Sequence, residues 1–68
     1  MKNKIKELRS SAKLSQAELA NYCGVSRQTI NAIENDKYDP SLQLAFDIAF
    51  ALNVKVDELF VSDSRDEK

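Results

Sequence analysis

The stretch Gln16–Asn35, QAELANYCGVSRQTINAIEN, contains two short helical patterns on either side of the only glycine in the 68-residue chain. Ser15 precedes the first pattern, with a glutamate three residues later that completes a capping box, and Ser26 precedes the second. Between the patterns lies Gly24, where a left-handed backbone conformation costs little. The sequence therefore predicts one helix from Gln16 to about Tyr22, a tight turn, and a second helix directly after Ser26.

Further helices are predicted on both sides of this pair. Apolar residues at helical spacing predict a helix over Lys4–Lys13. After a turn-rich segment with the only proline, Ser41 is a suitable cap for a helix over Leu42–Leu52, stopped by Asn53. The stretch VKVDELF, residues 54–60, has room for one or two more helical turns. Five short helices are thus expected.

Composition restricts the class of protein. Apolar residues make up 43% and charged residues 31% of the chain, which favours one compact, mostly helical domain. With one cysteine and no histidine, neither a disulfide framework nor a His/Cys metal site is expected, and no cofactor is predicted. No signal-peptide or membrane-spanning run is found, so we expect a cytoplasmic protein without a membrane partner. No small-molecule ligand is evident.

The charge is unevenly distributed. Residues 1–37 carry seven basic and four acidic side chains, whereas residues 38–68 carry three basic and seven acidic ones. The first part can therefore face a polyanion although the net charge is −1. Residues 62–68 are charged and lack apolar periodicity, so we expect a frayed tail after a domain spanning residues 1–61.

The third predicted helix has two chemically different sides. Ile30 and Ile33 define an apolar side, and the opposite side is centred on Gln28, Asn31 and Asn35. The polar face of a helix usually serves only solubility, and then it consists mostly of lysine and glutamate, unlike this one. The guanidinium of Arg27, at the first turn, and the amides of Gln28 and Asn31 instead match base edges in the DNA major groove. The pattern favours a DNA-reading surface over a merely solvated one.

The same stretch resembles the helix-turn-helix of the phage repressor and Cro family, also called Xre-type regulators. The resemblance extends over roughly Ile5 to Phe60, including DPSLQLAFDIAFALNV and the closing DELF. It implies a compact five-helix all-α repressor-like domain, with helices two and three as the helix-turn-helix. The partner it implies is double-stranded DNA.

The resemblance also assigns roles to individual residues. The bases would be read by Arg27, Gln28 and Asn31, with Thr29 and Ala32 as neighbours. The DNA backbone would be contacted by Gln16, Ser26, Asn35, Lys37, Tyr38 and Ser41. Arg9 and Glu34 fall where the family often places an internal ion pair.

The fourth predicted helix has more apolar surface than one core requires. Besides its main stripe, Leu42, Phe46 and Phe50 recur at intervals of four residues. The first helix or the segment around Phe60 and Val61 could cover this second stripe. Alternatively, a two-fold contact involving these five residues would make a homodimer, as the resemblance also implies.

Cys23 and the overall function each leave alternatives. Cys23 is expected to be a small core side chain, since a redox-sensing thiol needs exposure and a cationic neighbour. The leading function is a sequence-specific transcriptional regulator, and the resemblance implies a repressor that binds a pseudopalindromic operator. The alternative is an antitoxin-like or scaffold module that binds another protein. An enzyme is not expected, because no nucleophile and base pair or phosphate-binding glycine loop is present.

Overall fold

The computed structural model describes residues 2–61, which form five helices and one small sheet. The helices are α1 (Ile5–Ser11), α2 (Gln16–Cys23), α3 (Arg27–Glu34), α4 (Leu42–Leu52) and α5 (Val56–Leu59), and the strands are β1 (Lys2–Asn3) and β2 (Phe60–Val61). The five-helix prediction is confirmed. The predicted tail, residues 62–68, lies outside the described residues, so the domain boundary stays a prediction.

Serine caps define the starts of three helices. Ser15 Oγ accepts a hydrogen bond from the Glu18 amide at 3.0 Å, and Glu18 Oε1 accepts one from the Ser15 amide at 2.8 Å. Ser26 and Ser41 each cap an amide three residues ahead, both at 3.1 Å. These bonds satisfy amides that have no partner inside their helices. The predicted starts of α2, α3 and α4 are confirmed.

Left-handed residues end α2 and α4. Gly24 after α2 has φ 70°, and Asn53 after α4 has φ 59°. α1 ends at Ser11, near the predicted end at about Lys13, and Lys13 itself adopts a positive φ, 61°. The Leu14 amide then donates back to the Arg9 carbonyl at 3.0 Å and closes the turn.

One apolar core joins all five helices. The side chains of Ile5, Leu19, Ile30, Ile48 and Leu59 are completely buried, one from each helix. Ala20 is also buried, and the helices α2 and α3 pack together beside it. A core built from every helix gives α3 a fixed orientation, since its buried side chains contact neighbours on several sides.

The two-stranded sheet was not predicted. β1 and β2 pair antiparallel, with Lys2 opposite Val61 and Asn3 opposite Phe60. The Lys4 amide adds a bond to the Leu59 carbonyl at 2.8 Å. Strands of two residues are too short to show an alternating pattern, so only the fold brings them together.

The second apolar stripe of α4 stays uncovered in residues 2–61. The exposed fractions of Leu42, Phe46 and Phe50 are 69%, 53% and 88%. The expectation that α1 or the C-terminal segment might cover them was wrong for this part of the chain. Phe60 instead packs against the core, and Val61 is exposed on β2. Over the same residues, none of the helices has the length and apolar character needed to cross a membrane.

Candidate nucleic-acid interface

The turn between α2 and α3 sets the direction in which α3 leaves. Gly24 adopts a left-handed conformation, and the Val25 amide bonds to the Ala20 carbonyl at 3.1 Å. A Cβ atom added at Gly24 would meet no heavy atom within 4 Å. The glycine is therefore required by its backbone angle and not by a close neighbour. Ser26 then starts α3 within two residues.

The two sides of α3 differ as the sequence predicts. Ile30 and Ile33 are buried at 0% and 1% exposure, which fixes the helix against the core. Arg27, Gln28 and Asn31 are exposed on the other side and together line one depression of the surface. A guanidinium and two amides thus lie side by side on a helix that has little freedom to rotate.

Thr29 and Ala32 lie at the edge of this group. Both are half-buried, and neither lines the depression. The Thr29 hydroxyl is 3.0 Å from the Ser26 hydroxyl, so the two share a hydrogen bond at the start of α3. Thr29 therefore helps to order the first turn of the helix, and its role beside a base would come from its methyl group.

Asn35 orients Asn31 from one turn further along the helix. The Asn35 Nδ2 donates to the Asn31 carbonyl at 2.8 Å and to the Asn31 Oδ1 at 3.3 Å. This leaves the Asn31 amide nitrogen pointing away from Asn35 as a donor. Asn35 thus contributes to the surface by holding a neighbouring amide in place.

Arg9, Glu34 and Gln16 form a polar cluster that contacts α3. Arg9 Nε is 2.8 Å from Glu34 Oε2, and the two side chains are only 13% and 4% exposed. Gln16 Nε2 donates to Glu34 Oε1 at 3.0 Å, and Arg9 Nη1 donates to the Leu14 carbonyl at 3.0 Å. The cluster links α1, the loop before α2, the first turn of α2 and the last turn of α3.

The charge state of Arg9 follows from these contacts. The hydrogen bond to Glu34 raises the pKa of Arg9 above its ordinary value. Burial acts in the opposite direction, and the negative charge of Glu34 adds to the increase. The Arg9 guanidinium therefore stays protonated at neutral pH. A partly buried ion pair with both groups hydrogen-bonded stabilises the position of α3 relative to α1.

The residues predicted to contact the DNA backbone surround α3. Asn35, Lys37 and Tyr38 are exposed at its C-terminal end and in the following loop. Ser26 and Ser41 lie at the N-termini of α3 and α4, where helix dipoles favour anions, and both hydroxyls already cap their helices. Gln16 is half-buried, and part of its donor capacity goes to Glu34.

Asn3 has contacts near this surface that sequence reasoning missed. Its side-chain nitrogen donates to the Ile33 carbonyl at 2.8 Å and to Asp36 Oδ1 at 3.3 Å. The contacts span 30 and 33 residues, and no local pattern around Asn3 predicts them.

Cys23 is half-buried at the end of α2. Burial, and next the negative charge of Asp47, raise the pKa of the Cys23 thiol above its ordinary value. Both effects disfavour the reactive thiolate. Cys23 therefore has the environment of a packing residue, and the charged group that shifts its pKa is a carboxylate.

Comparison with known proteins gives consistent matches along nearly the whole chain. Residues 5–59 match the family model described as helix-turn-helix. The chain is 56% identical over 61 residues to an uncharacterised HTH-type transcriptional regulator of Methanocaldococcus jannaschii, covering 90% of this chain and 92% of that protein.

Two solved structures share the fold. The restriction-modification controller protein C.AhdI from Aeromonas hydrophila aligns with a TM-score of 0.77 at 34% identity, over 82% of this chain and 85% of that one. The N-terminal DNA-binding domain of SinR from Bacillus subtilis aligns with a TM-score of 0.76 at 30% identity, over 87% of each chain.

Proposed function

Because this chain belongs to the helix-turn-helix family of transcriptional regulators, we propose that it recognises a specific DNA sequence by inserting α3 into the major groove. Family and fold are those of DNA-binding regulators and not of enzymes. One observation carries the proposal: Arg27, Gln28 and Asn31 line a single depression on the exposed side of a helix whose other side is fully buried.

The chemistry of these three side chains suits base recognition. Arg27 can donate two parallel hydrogen bonds to guanine, and Gln28 and Asn31 can each pair with adenine through one donor and one acceptor. Thr29 and Ala32 would present methyl groups to thymine at the edge of the surface. Each such contact discriminates between bases only if the side chain is held in place. The two hydrogen bonds that Asn35 donates to Asn31 hold Asn31 in place in this way.

Contacts to phosphates would place α3 in the groove. The N-termini of α2, α3 and α4 carry positive partial charge, and they bring Gln16, Ser26 and Ser41 to the proposed DNA backbone. Lys37 supplies a full positive charge and Tyr38 a hydroxyl donor in the loop after α3. They lie next to Asn35, whose side-chain nitrogen already donates to Asn31. Asp36 and Asp39 in the same loop oppose a polyanion. We therefore infer that correct base contacts account for a large share of the affinity.

The exposed stripe of α4 supports a homodimer. Leu42, Phe46 and Phe50 leave a continuous apolar strip in water, and covering it with a second copy would be favourable at about 25 cal/mol per Å² of apolar area. Val61 and the outer part of Phe60 would extend the contact. A two-fold pair presents two copies of α3 to successive major grooves, so the operator would be pseudopalindromic.

Repression is the simplest outcome of such binding. A dimer on an operator excludes other proteins from the same groove, and exclusion requires nothing beyond the DNA-binding surface. Activation would additionally require a surface that recruits the transcription machinery. We therefore infer that the protein represses a promoter that overlaps its operator.

A titration of selected DNA tests the proposal. A duplex selected from a random pool and a scrambled duplex are titrated at two salt concentrations, with fluorescence anisotropy as the readout. We expect specific binding that weakens with salt, and a loss of about 1–3 kcal/mol for Arg27→Ala or Asn31→Ala.

Matched controls come from other helices. Asn21 is exposed on α2, and Lys55 precedes α5, so Asn21→Ala and Lys55→Ala remove similar groups away from the proposed surface. Both should leave the Kd for the selected duplex within about a factor of two. Equal losses in the controls and in Asn31→Ala would contradict base reading by α3.

A second candidate function is the binding of another protein. The exposed Phe46 and Phe50 favour it, since an apolar strip of this kind suits a protein surface better than a nucleic acid. Its affinity would depend little on salt. Failure of the wild-type chain to bind any selected duplex would favour this function over the first.

A further inference from the structure

One side chain at the start of the chain joins three segments of the fold. Asn3 Oδ1 accepts a hydrogen bond from the Ile5 amide at 3.1 Å, at the start of α1. Asn3 Nδ2 donates to the Ile33 carbonyl in the last turn of α3 and to Asp36 Oδ1 in the turn that follows. The acceptor side therefore serves α1, and the donor side serves the end of the recognition helix.

The turn that Asn3 contacts has an unusual backbone. Asp36 adopts φ 60°, a conformation in which glycine is the usual residue. The Asp36 amide bonds to the Ile33 carbonyl at 3.1 Å, and the Lys37 amide bonds to the Ala32 carbonyl at 2.9 Å. The Asn3 amide meets both the carbonyl and the carboxylate of this turn. These two hydrogen bonds hold Asp36 in a left-handed backbone conformation that aspartate adopts only occasionally.

The pairing of the strands fixes Asn3 itself. Asn3 lies opposite Phe60 in the small sheet, and the next residue, Lys4, bonds through its amide to the Leu59 carbonyl. Leu59 is completely buried in the core. The backbone of Asn3 is thus anchored to the core independently of α3, so its side chain can act as a fixed support.

The supported turn leads directly into the proposed contacts with phosphates. Asn35 precedes Asp36, and Lys37 and Tyr38 follow it, all of them exposed. We propose that Asn3 is a positioning residue for DNA binding: its amide fixes the turn after α3, and with it the residues that contact the DNA backbone. This inference rests on the proposed function, since it assigns a role within the same interface.

Two substitutions separate this role from the hydrogen bond that Asn3 accepts from the Ile5 amide at the start of α1. Asn3→Ser keeps an oxygen that can accept from the Ile5 amide two residues ahead, as serine does more weakly than asparagine in such turns, but is too short to reach Ile33. Asn3→Ala removes both functions. We expect each to raise the Kd for the selected duplex roughly fivefold, the effect of one net hydrogen bond. The salt dependence should fall by the equivalent of about one phosphate contact.

Val56→Ala controls for a general loss of stability. Val56 is partly buried on α5 and carries no charge, and its truncation should destabilise the fold without touching the turn after α3. At a temperature where circular dichroism shows all variants folded, its Kd and salt dependence should equal those of the wild type. A Kd raised as much by Val56→Ala as by Asn3→Ser would overturn the proposal.

Hydrogen exchange gives a readout that needs no DNA. In both Asn3 variants the Asp36 and Lys37 amides should exchange faster than in the wild type. The matched turn after α4, where Asn53 and Val54 make equivalent bonds, should be unchanged. Unchanged exchange at Asp36 and Lys37 would overturn the proposal, as would a wild-type Kd in both Asn3 variants. A wild-type chain that binds no selected duplex would instead overturn the proposed function together with this inference.

Discussion

The helices α3 and α4 each bury isoleucine on one side and show a different chemistry on the other. α3 buries Ile30 and Ile33 and exposes amide and guanidinium groups. α4 buries Ile48 and exposes Leu42, Phe46 and Phe50 in water. The buried sides explain the fold, but they are too similar to show how the two helices differ in function. The exposed sides show which kind of partner each helix suits.

The two exposed sides also differ in what they would gain from a partner. The polar groups of α3 are satisfied by water, so binding gains from them only where a partner offers matching donors and acceptors. The aromatic groups of α4 gain from any partner that excludes water. Specificity is thus expected from α3 and driving force for association from α4.

Truncating one buried and one exposed side chain should give the largest contrast. Ile30→Ala leaves a cavity under α3 and should lower the free energy of unfolding by about 2–5 kcal/mol. Phe50→Ala removes a larger side chain that is 88% exposed, and should change that free energy by less than about 0.5 kcal/mol. Urea titrations at low protein concentration measure both. Similar losses would mean that Phe50 is buried in the folded protein.

Self-association should respond to α4 and not to α3. Sedimentation of the wild type at micromolar concentration should show a dimer, and Phe46→Ser or Phe50→Ser should shift it towards monomer. The expected loss is about 1–3 kcal/mol per aromatic side chain removed from an apolar contact. Asn31→Ala should weaken DNA binding and leave the dimer intact. A wild type that sediments only as monomer, with and without DNA, would exclude the homodimer.

The smallest effect concerns Cys23, the last residue of α2. Because its pKa is raised, its thiolate fraction at pH 8 is lower than that of a free cysteine, and alkylation by iodoacetamide should be slower. Asp47→Asn should increase the rate slightly. The raised pKa also makes the free energy of unfolding depend on pH. The contribution of the Cys23 thiol is fully present below the pKa of Cys23 in the unfolded chain, and it is lost as the pH rises through the pKa in the folded protein. Alkylation as fast as that of an unfolded peptide would contradict this environment.

Local chemistry explains what the sequence predicted well. Serine caps and a left-handed glycine act within four residues, so Ser15, Gly24 and Ser26 could be interpreted without knowing the fold. The orientation of α3 followed from Ile30 and Ile33, because a helix that packs on a core must turn its apolar side inward.

Features that depend on contacts between distant residues were predicted poorly from the sequence. Neither the pairing of Asn3 with Phe60 nor the bond from Asn3 to Ile33 has a local pattern that could reveal it. The left-handed Asp36 and Lys13 occur where glycine would have been the visible signal. The assignment of Arg27, Gln28 and Asn31 to bases stays a prediction, since it concerns a partner and not the chain itself.

The pairing of β1 with β2 has a consequence for the order in which the protein folds. The contacts between α2 and α3 close loops of fewer than about 20 residues, which form quickly and locally. The sheet joins residue 2 to residue 61, so it can form only after nearly the whole domain has left the ribosome. If Asn3 supports the end of α3, the proposed DNA-binding surface becomes complete only once this sheet has formed.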